Sequence, residues 1–212
     1  MTNVLITAGP TKEYIDPIRY ISNNSSGKQG YALAEYMSTI GWNIILISGP
    51  VTIPINNKCH IVHVETCSQM LQACIDSLPV DIAIFTAAVT DWIPYYSNHK
   101  AKKHSINSID ITYSPDILKC ISINKKRPKL IIGFSIESEN LVQASKEKLI
   151  RKKCDWIIGN DLYINNEKIM GSDYTKISII TKDNIESFHL MTKKDAAKII
   201  TKKIIDYLNI SL

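Results

Sequence analysis

The stretch Arg19–Gly30 combines residue types that bind oxyanions. It carries Arg19 and Asn23, and its glycines let a ligand approach the backbone closely. Apolar spacing after it predicts a helix, whose free N–H groups and positive dipole favour a phosphate. A capped helix after a surface loop would explain Ser-Gly-Lys alone, but it accounts poorly for an arginine and two asparagines in the same loop. The candidate phosphate loop consists of Ser25, Ser26, Gly27, Lys28 and Gly30.

Two lysines and one aspartate elsewhere fit a nucleoside triphosphate. Lys148 and Lys152 are one turn apart on a predicted helix, so their ammonium groups can converge on phosphates. Cations are also favoured near a helix C-terminus, so this spacing alone does not require a ligand. Asp91 follows small residues at the end of a predicted strand. There it could hold a base or a Mg²⁺-bound phosphate, or simply form a turn.

Composition excludes several classes of protein. The 212 residues, 45% of them hydrophobic, suffice for a single domain with a real core over 1–212. No run has the apolar length of a membrane span and we recognise no signal peptide, so we expect a cytoplasmic protein without a membrane partner. Five scattered cysteines argue against a disulfide framework or a zinc site. Aromatic residues do not interleave with the lysine clusters, so we expect no nucleic-acid partner.

Strands and helices alternate along the sequence. This alternation predicts an α/β fold with a doubly wound, mostly parallel, Rossmann-like sheet, helices on both faces and a small antiparallel extension. Predicted strands are Asn3–Ala8, Asn43–Ser48, His60–Val64, Asp81–Ala88, Ser108–Tyr113, Lys129–Phe134, Trp156–Gly159, Lys176–Thr181 and Ile185–Leu190. Predicted helices are Lys28–Ile40, one capped by Thr66 and running to Leu78, one from Pro115 to Ile123, Glu139–Lys153 and a last one capped by Thr192.

The carboxyl ends of these strands predict the position of the site. In such sheets ligands bind beyond those ends, at the point where the strand order reverses. The segments that follow the strands would line one crevice, with Arg19–Gly30 above it. The long segment from Val89 to Ser105 is predicted to be irregular, which is typical of binding loops.

An NAD(P)-dependent Rossmann-type oxidoreductase is one alternative for such a sheet. Its fingerprint requires Gly-x-Gly-x-x-Gly directly after the first strand and an acidic residue at the end of the second. Here Gly9-Pro10-Thr11 follows the first strand and Ser48-Gly49-Pro50 supplies no acid. A Tyr-x-x-x-Lys pattern at Tyr96 and Lys100 lies in a predicted loop, where the spacing of four does not align the side chains as it does on a helix.

Motifs across almost the whole chain resemble phosphopantothenate–cysteine ligases (phosphopantothenoylcysteine synthetases) of the bacterial, CTP-dependent type. Each motif alone is weak, but all occur in the order found in that family. The matching segments are Ile6–Thr11, Asp16–Asn23, Ser25–Gly30, Ala87–Asp91, Lys100–Lys103, Pro115–Ile117, Gly133-Phe134 and Asn160-Asp161. Departures at Ala101, Ser114 and Ser135 concern the surroundings of the nucleotide more than the reaction.

The resemblance implies a two-step ligation in coenzyme A biosynthesis. The carboxylate of 4′-phosphopantothenate attacks CTP, and cysteine then attacks the resulting acyl cytidylate, with Mg²⁺ as the expected cofactor and metal ligands unknown. The chain resembles a free-standing ligase, so a flavin-dependent decarboxylase would be a separate chain. The family works as homodimers. A module that senses CTP without turnover is the alternative from a non-enzyme class.

The resemblance also implies roles for individual residues. Asn23 matches the asparagine that acts on the acyl cytidylate, Arg19 would orient the loop or bind phosphate, and Lys100 would contact the CTP phosphates. Phe134 could stack on the base, whose edge backbone groups near Ala87 and Pro115 could bind. The implied CTP positions are Phe85, Thr86, Ala87, Asp91, Lys100, Pro115, Asp116, Ile117, Leu118, Phe134, Lys148 and Lys152.

Overall fold

The computed structural model of the chain describes residues 1–54, 58–100, 102, 108–137, 140–161, 163–164, 167–168 and 171–210. The predicted Lys100–Lys103 cluster and the predicted start of a helix at Glu139 therefore lie partly outside the described residues. None of the described helices is long and apolar enough to cross a membrane. The helices are α1 Lys28–Thr39, α2 Cys67–Asp76, α3 Ile117–Ser122, α4 Leu141–Lys152 and α5 Lys193–Leu208.

The described residues form one large sheet and four two-stranded sheets outside it. The order of the large sheet is 15-14-10-9-6-1-4-5 in the strand numbering below, and only its first two strands run antiparallel to their neighbours. The predicted doubly wound, mostly parallel sheet is thereby confirmed. The strands are β1 Asn3–Ala8, β2 Lys12–Tyr14, β3 Tyr20–Ser22, β4 Asn43–Ser48, β5 Cys59–His63, β6 Ile82–Phe85, β7 Trp92–Pro94, β8 Ile111–Tyr113, β9 Leu130–Glu137, β10 Trp156–Asp161, β11 Tyr163–Ile164, β12 Glu167–Lys168, β13 Tyr174–Thr175, β14 Ile177–Ile180, β15 Ile185–Ser187 and β16 Met191–Thr192.

The helices cover both faces of this sheet and form two hydrophobic cores. Residues of α1 and α5 pack on one face, which we call the α1–α5 face. Residues of α2, α3 and α4 pack on the other, the α3–α4 face. β1 pairs with β4 on one side and with β6 on the other, so the strand order reverses beside β1. A crevice for a ligand is expected at that point.

The polar segment after β1 is more ordered than the sequence predicted, because β2 and β3 pair within it. Two buried carboxylates hold this hairpin in place. Glu13 accepts a hydrogen bond from the backbone N–H of Cys67 at the start of α2 (2.7 Å). Asp16 accepts the backbone N–H groups of Ile18 and Arg19 at 2.8 and 2.9 Å and closes the turn. The helical spacing of apolar residues between Thr66 and Leu78 predicts that Ile75 faces inward, and this prediction is wrong, because its side chain is 39% exposed.

Gly30 fits α1 tightly against the strand ends. A Cβ atom at this position would lie 2.5 Å from Thr86 Oγ1 and 2.6 Å from the Cβ of Ala8. We therefore expect Gly30→Ala to lower the free energy of unfolding by about 1–3 kcal/mol, as overpacked sites do. The measurement is urea denaturation, with Glu35→Ala on the exposed side of the same helix as the control. An unchanged midpoint for Gly30→Ala would contradict the close packing.

Candidate active site

A cavity of about 860 Å³ lies at the carboxyl ends of the parallel strands. Its wall includes Thr7 in β1, Thr86 after β6, Ser135 in β9 and Asn160 in β10. This is the edge at which doubly wound sheets bind their ligands. Small-molecule sites span about 300–1,000 Å³, so the volume suits a nucleotide or a substrate of similar size.

The candidate phosphate loop forms part of this wall. Ser25, Ser26, Gly27 and Lys28 line the cavity, and Gly30 lies behind them against Thr86. Gly27 caps α1 with a φ of 73°, in the left-handed region that glycine adopts most readily. Among the described residues no side chain caps α1, so its first N–H groups are left for a ligand at this wall.

Asn23 is held at the same wall by a backbone group. Its Nδ2 donates a hydrogen bond to the carbonyl oxygen of Ala88 (3.0 Å), just beyond the end of β6. β3 ends at Ser22, whose hydroxyl donates to the carbonyl oxygen of Thr11 (2.7 Å) and fixes the preceding residue. An amide has two N–H donors, so the second one is available to a ligand in the cavity.

Lys148 and Lys152 converge as their spacing predicts, although each ammonium group also has a protein partner. Lys148 Nζ donates to the carbonyl oxygen of Phe134 (2.8 Å), and Lys152 Nζ pairs with Asp116 Oδ2 (2.5 Å). Burial lowers the pKa of Lys148, and the neighbouring charge of Lys152 lowers it further. Asp116 also caps α3 by accepting the N–H of Lys119 (3.1 Å), which fixes its carboxylate.

A second pair of lysines lies at the starts of α1 and α5. Lys28 Nζ pairs with Asp173 Oδ1 (2.7 Å), and Lys193 Nζ donates to the carbonyl oxygen of Ser172. Burial lowers the pKa of Lys193, and the charge of Lys28 lowers it further. Both ammonium groups belong to residues of the cavity wall. The wall is therefore cationic at two separate places, which suits a ligand with more than one phosphate group.

Most of the nucleotide positions implied by the sequence come together at this cavity. Lys100 is an exception, and Arg19, predicted to orient the loop or bind phosphate, does not belong to the wall either. Arg19 Nη1 lies 3.4 Å from Asp16 Oδ2, and Lys100 is exposed. The positions that line the cavity are Phe85, Thr86, Ala87, Asp91, Pro115, Asp116, Ile117, Leu118, Phe134, Lys148 and Lys152.

Several wall residues were not predicted as site residues from the sequence, among them the polar side chains of Gln29 and Lys193. Gln29 and Lys193 each leave a signal in the sequence. Gln29 is four residues before Leu33 and eight before Met37, so a polar side chain interrupts a stripe that is otherwise fully buried. Lys193 is the first residue of α5, where a cation opposes the helix dipole. Lys28 has the same unfavourable position in α1.

Carboxylates on the wall can contribute to a metal site but do not form one by themselves. Within the described ranges no group of three His, Cys, Asp or Glu residues could hold a metal ion. Asp116 and Asp161 line the cavity, and each is paired with a lysine, Asp116 with Lys152 and Asp161 with Lys176 (3.0 Å). Asp91 is exposed at the rim. This donor set fits Mg²⁺ bound through one or two carboxylates plus phosphate oxygens, its usual arrangement with nucleotides.

A family model and curated relatives match nearly the whole chain. The family described as DNA/pantothenate metabolism flavoprotein C-terminal domain matches residues 1–208. The coenzyme A biosynthesis bifunctional protein CoaBC of Borreliella burgdorferi is 39% identical over 204 residues, which are 94% of this chain and 51% of that protein. CoaBC of Haemophilus influenzae is 35% identical over 207 residues, which are 96% and 51%. The chain thus spans about half the length of these curated relatives.

A solved structure matches the chain over nearly its full length. It is the crystal structure of the C-terminal domain of a CoaBC protein, with a TM-score of 0.83 and 35% sequence identity. The match covers 98% of this chain and 96% of that one. The resemblance predicted from the motifs is confirmed, and the chain belongs to the family of DNA/pantothenate metabolism flavoprotein C-terminal domains.

Proposed function

We propose that the chain joins 4′-phosphopantothenate to L-cysteine with CTP, giving 4′-phosphopantothenoylcysteine, CMP and pyrophosphate. One observation carries the proposal: Asn23, Lys148 and Lys152 converge with the candidate phosphate loop on a single cavity. The similarity to the C-terminal domain of CoaBC, a coenzyme A biosynthesis protein, supports it. The reaction would form an acyl cytidylate and then an amide.

In the first step, the carboxylate of phosphopantothenate attacks the α-phosphate of CTP and pyrophosphate leaves. Catalysis of such transfers depends on positioning and on stabilising charge on the phosphate oxygens. The ammonium groups of Lys148 and Lys152 would perform this task, and their contacts with the Phe134 carbonyl group and the Asp116 carboxylate support the proposal by fixing their positions. Mg²⁺ bound with the nucleotide near Asp91 would neutralise further phosphate charge.

In the second step, the amine of cysteine attacks the acyl carbonyl and CMP leaves. Asn23 would donate its second N–H to the oxyanion that develops on that carbonyl. The hydrogen bond to Ala88 orients the amide beforehand, so little reorganisation is needed during the attack. The candidate phosphate loop and Lys193 would hold the phosphate groups of the substrates.

Arg19 and Lys100 keep the roles that the resemblance implies, as proposals. Lys100 would contact the CTP phosphates and Arg19 would orient the loop or bind phosphate. Neither belongs to the cavity wall, so the motif match is the support for both.

We further propose that the chain works as a homodimer in the cytoplasm and acts together with a separate decarboxylase chain. The support for a dimer is an exposed aromatic surface on β7 and β8. Trp92 is 50% exposed and Tyr113 is 83% exposed, and Tyr95 and Tyr96 follow β7 with large exposed areas. Exposed apolar patches of this kind commonly mark protein interfaces.

Pyrophosphate release tests the proposed function. We expect release from CTP only when phosphopantothenate is present, and faster turnover with CTP than with ATP at equal concentration. The product, phosphopantothenoylcysteine, should appear only after cysteine is added. CTP binding without pyrophosphate release would instead identify a sensing module, and faster turnover with ATP would refute the choice of nucleotide.

A further inference from the structure

Gln29 occupies a position in α1 where the helix pattern calls for an apolar side chain. Leu33 and Met37 lie one and two turns further along the same side of α1, and both are fully buried in the core of the α1–α5 face. Side chains of a helix lean toward its N-terminus, so Gln29 extends this stripe beyond the core and into the cavity wall.

The amide of Gln29 is buried and lacks protein partners. The residue is 9% exposed, and neither its Nε2 nor its Oε1 has a hydrogen-bond partner among the residues that the structure describes. Burying an amide without partners is costly, so such groups normally meet a ligand or water. Asn160 Oδ1, on the same cavity wall, is a second buried acceptor without a partner in the described chain.

An aromatic ring lies on the same face of the sheet. Phe134 packs against the core of the α1–α5 face, whereas its neighbour Gly133 faces α3 on the other side. Gln29 continues the helix stripe that packs on that same core. Phe134 and the two amide groups without partners line the same cavity, which suits a planar ligand with a polar edge, because a ring can stack on its face while an amide pairs with the edge.

The geometry of the amide distinguishes two candidate ligands. A side-chain amide presents a donor and an acceptor side by side. A trans secondary amide, such as that of phosphopantothenate, places its N–H and C=O on opposite sides, so one side-chain amide cannot pair with both. The edge of cytosine places the 4-amino donor next to the acceptor at ring N3, which complements the Gln29 amide.

We propose that Gln29 binds the edge of the nucleobase, with Oε1 accepting from the 4-amino group and Nε2 donating to ring N3. This deepens the proposed function and rests on it, since it names a residue that recognises the base of CTP. A substitution can remove a contact made by the Gln29 side chain, whereas contacts made by backbone groups near Ala87 and Pro115 would remain. Gln29 is in this sense a specificity-determining residue.

The test compares CTP with the triphosphate of pyrimidin-2-one riboside, which lacks the 4-amino group. In the wild type we expect kcat/KM to favour CTP about tenfold, because the analogue leaves the buried acceptor unpaired. In Gln29→Met, which keeps the length and completes the apolar stripe, the preference should fall to about one. The KM for phosphopantothenate should not change in the variant.

A matched substitution on another helix controls for the exchange itself. Gln72→Met removes an exposed amide of α2 that bonds Asp76, and it should leave the nucleotide preference intact. An unchanged preference in Gln29→Met, or a wild type without one, would overturn the proposal. So would a raised KM for phosphopantothenate in place of CTP. If the wild type releases no pyrophosphate, the proposed function is wrong, whatever the role of Gln29. Calorimetry on the wild type and on Gln29→Met then tests Gln29, through the ratio of the affinities for CTP and for the analogue.

Discussion

Asn23→Asp is expected to consume CTP once and then stop, with phosphopantothenoyl cytidylate bound even when cysteine is present. The substitution is nearly isosteric, but it places a negative charge where negative charge develops on the acyl oxygen. Loss of one such donor costs about a hundredfold to a thousandfold in rate. Mass spectrometry of the quenched complex would detect the intermediate. The first step should continue, because the uncharged amide contributes little to nucleotide binding.

The neighbouring asparagine provides the control for this experiment. Asn24 is exposed and does not belong to the cavity wall, so Asn24→Asp adds the same charge nearby without touching the acyl group. The Asn24→Asp variant should form phosphopantothenoylcysteine at close to the wild-type rate. If Asn23→Asp forms no intermediate, or converts it to product as fast as the wild type does, then Asn23 has no role in the second step.

Lys148→Met is expected to slow formation of the acyl cytidylate by about a hundredfold and to raise the KM for CTP. The reason is that a half-buried ammonium group beside the phosphates interacts more strongly than one in water. Single-turnover measurements of pyrophosphate release would separate this step from the attack of cysteine. Lys146→Met, on the exposed side of the same helix, removes the same charge and should have little effect.

The pH dependence of nucleotide binding gives a second readout of Lys148. Burial lowers its pKa, so the free enzyme should lose this ammonium proton at a pH below the usual lysine range. The KM for CTP should therefore rise on the alkaline side in the wild type, and this rise should be absent from Lys148→Met. A bound triphosphate favours the charged form, so kcat should be less sensitive to pH than KM. Identical alkaline limbs in both proteins would assign the titration to another group.

The main sheet could be predicted from the sequence because its strands are buried on both faces. Runs such as Asn3–Ala8 and Asn43–Ser48 are predominantly apolar, and their predicted bounds agree with those of β1 and β4. The small sheets could not be predicted in the same way. Asp16 closes a local turn between β2 and β3, but the other buried carboxylate, that of Glu13 in β2, meets the backbone N–H of Cys67 only when folding brings the two segments together. No local pattern reveals such partners.

The site could be predicted in part for a similar reason. Motifs and strand ends indicate residues such as Asn23 and Lys148, which fall on the cavity wall. Their protein partners, the carbonyl groups of Ala88 and Phe134, depend on tertiary structure and were not foreseen. Gln29 was missed because a single polar residue in a helix pattern ordinarily indicates a solvent-facing position. The structure shows instead that Gln29 is buried, at the point where α1 passes from the core to the cavity wall.

Three polar side chains of the cavity wall share one kind of support, the main-chain carbonyl group. Asn23 bonds that of Ala88, Lys148 that of Phe134 and Lys193 that of Ser172. A carbonyl group belongs to the backbone, so it persists whatever side chain the supporting position carries. Mutational drift at positions 88 and 172 can therefore proceed without moving the groups that face the substrates. Sequence variation among related enzymes should be wider at these supporting positions than at the residues they support.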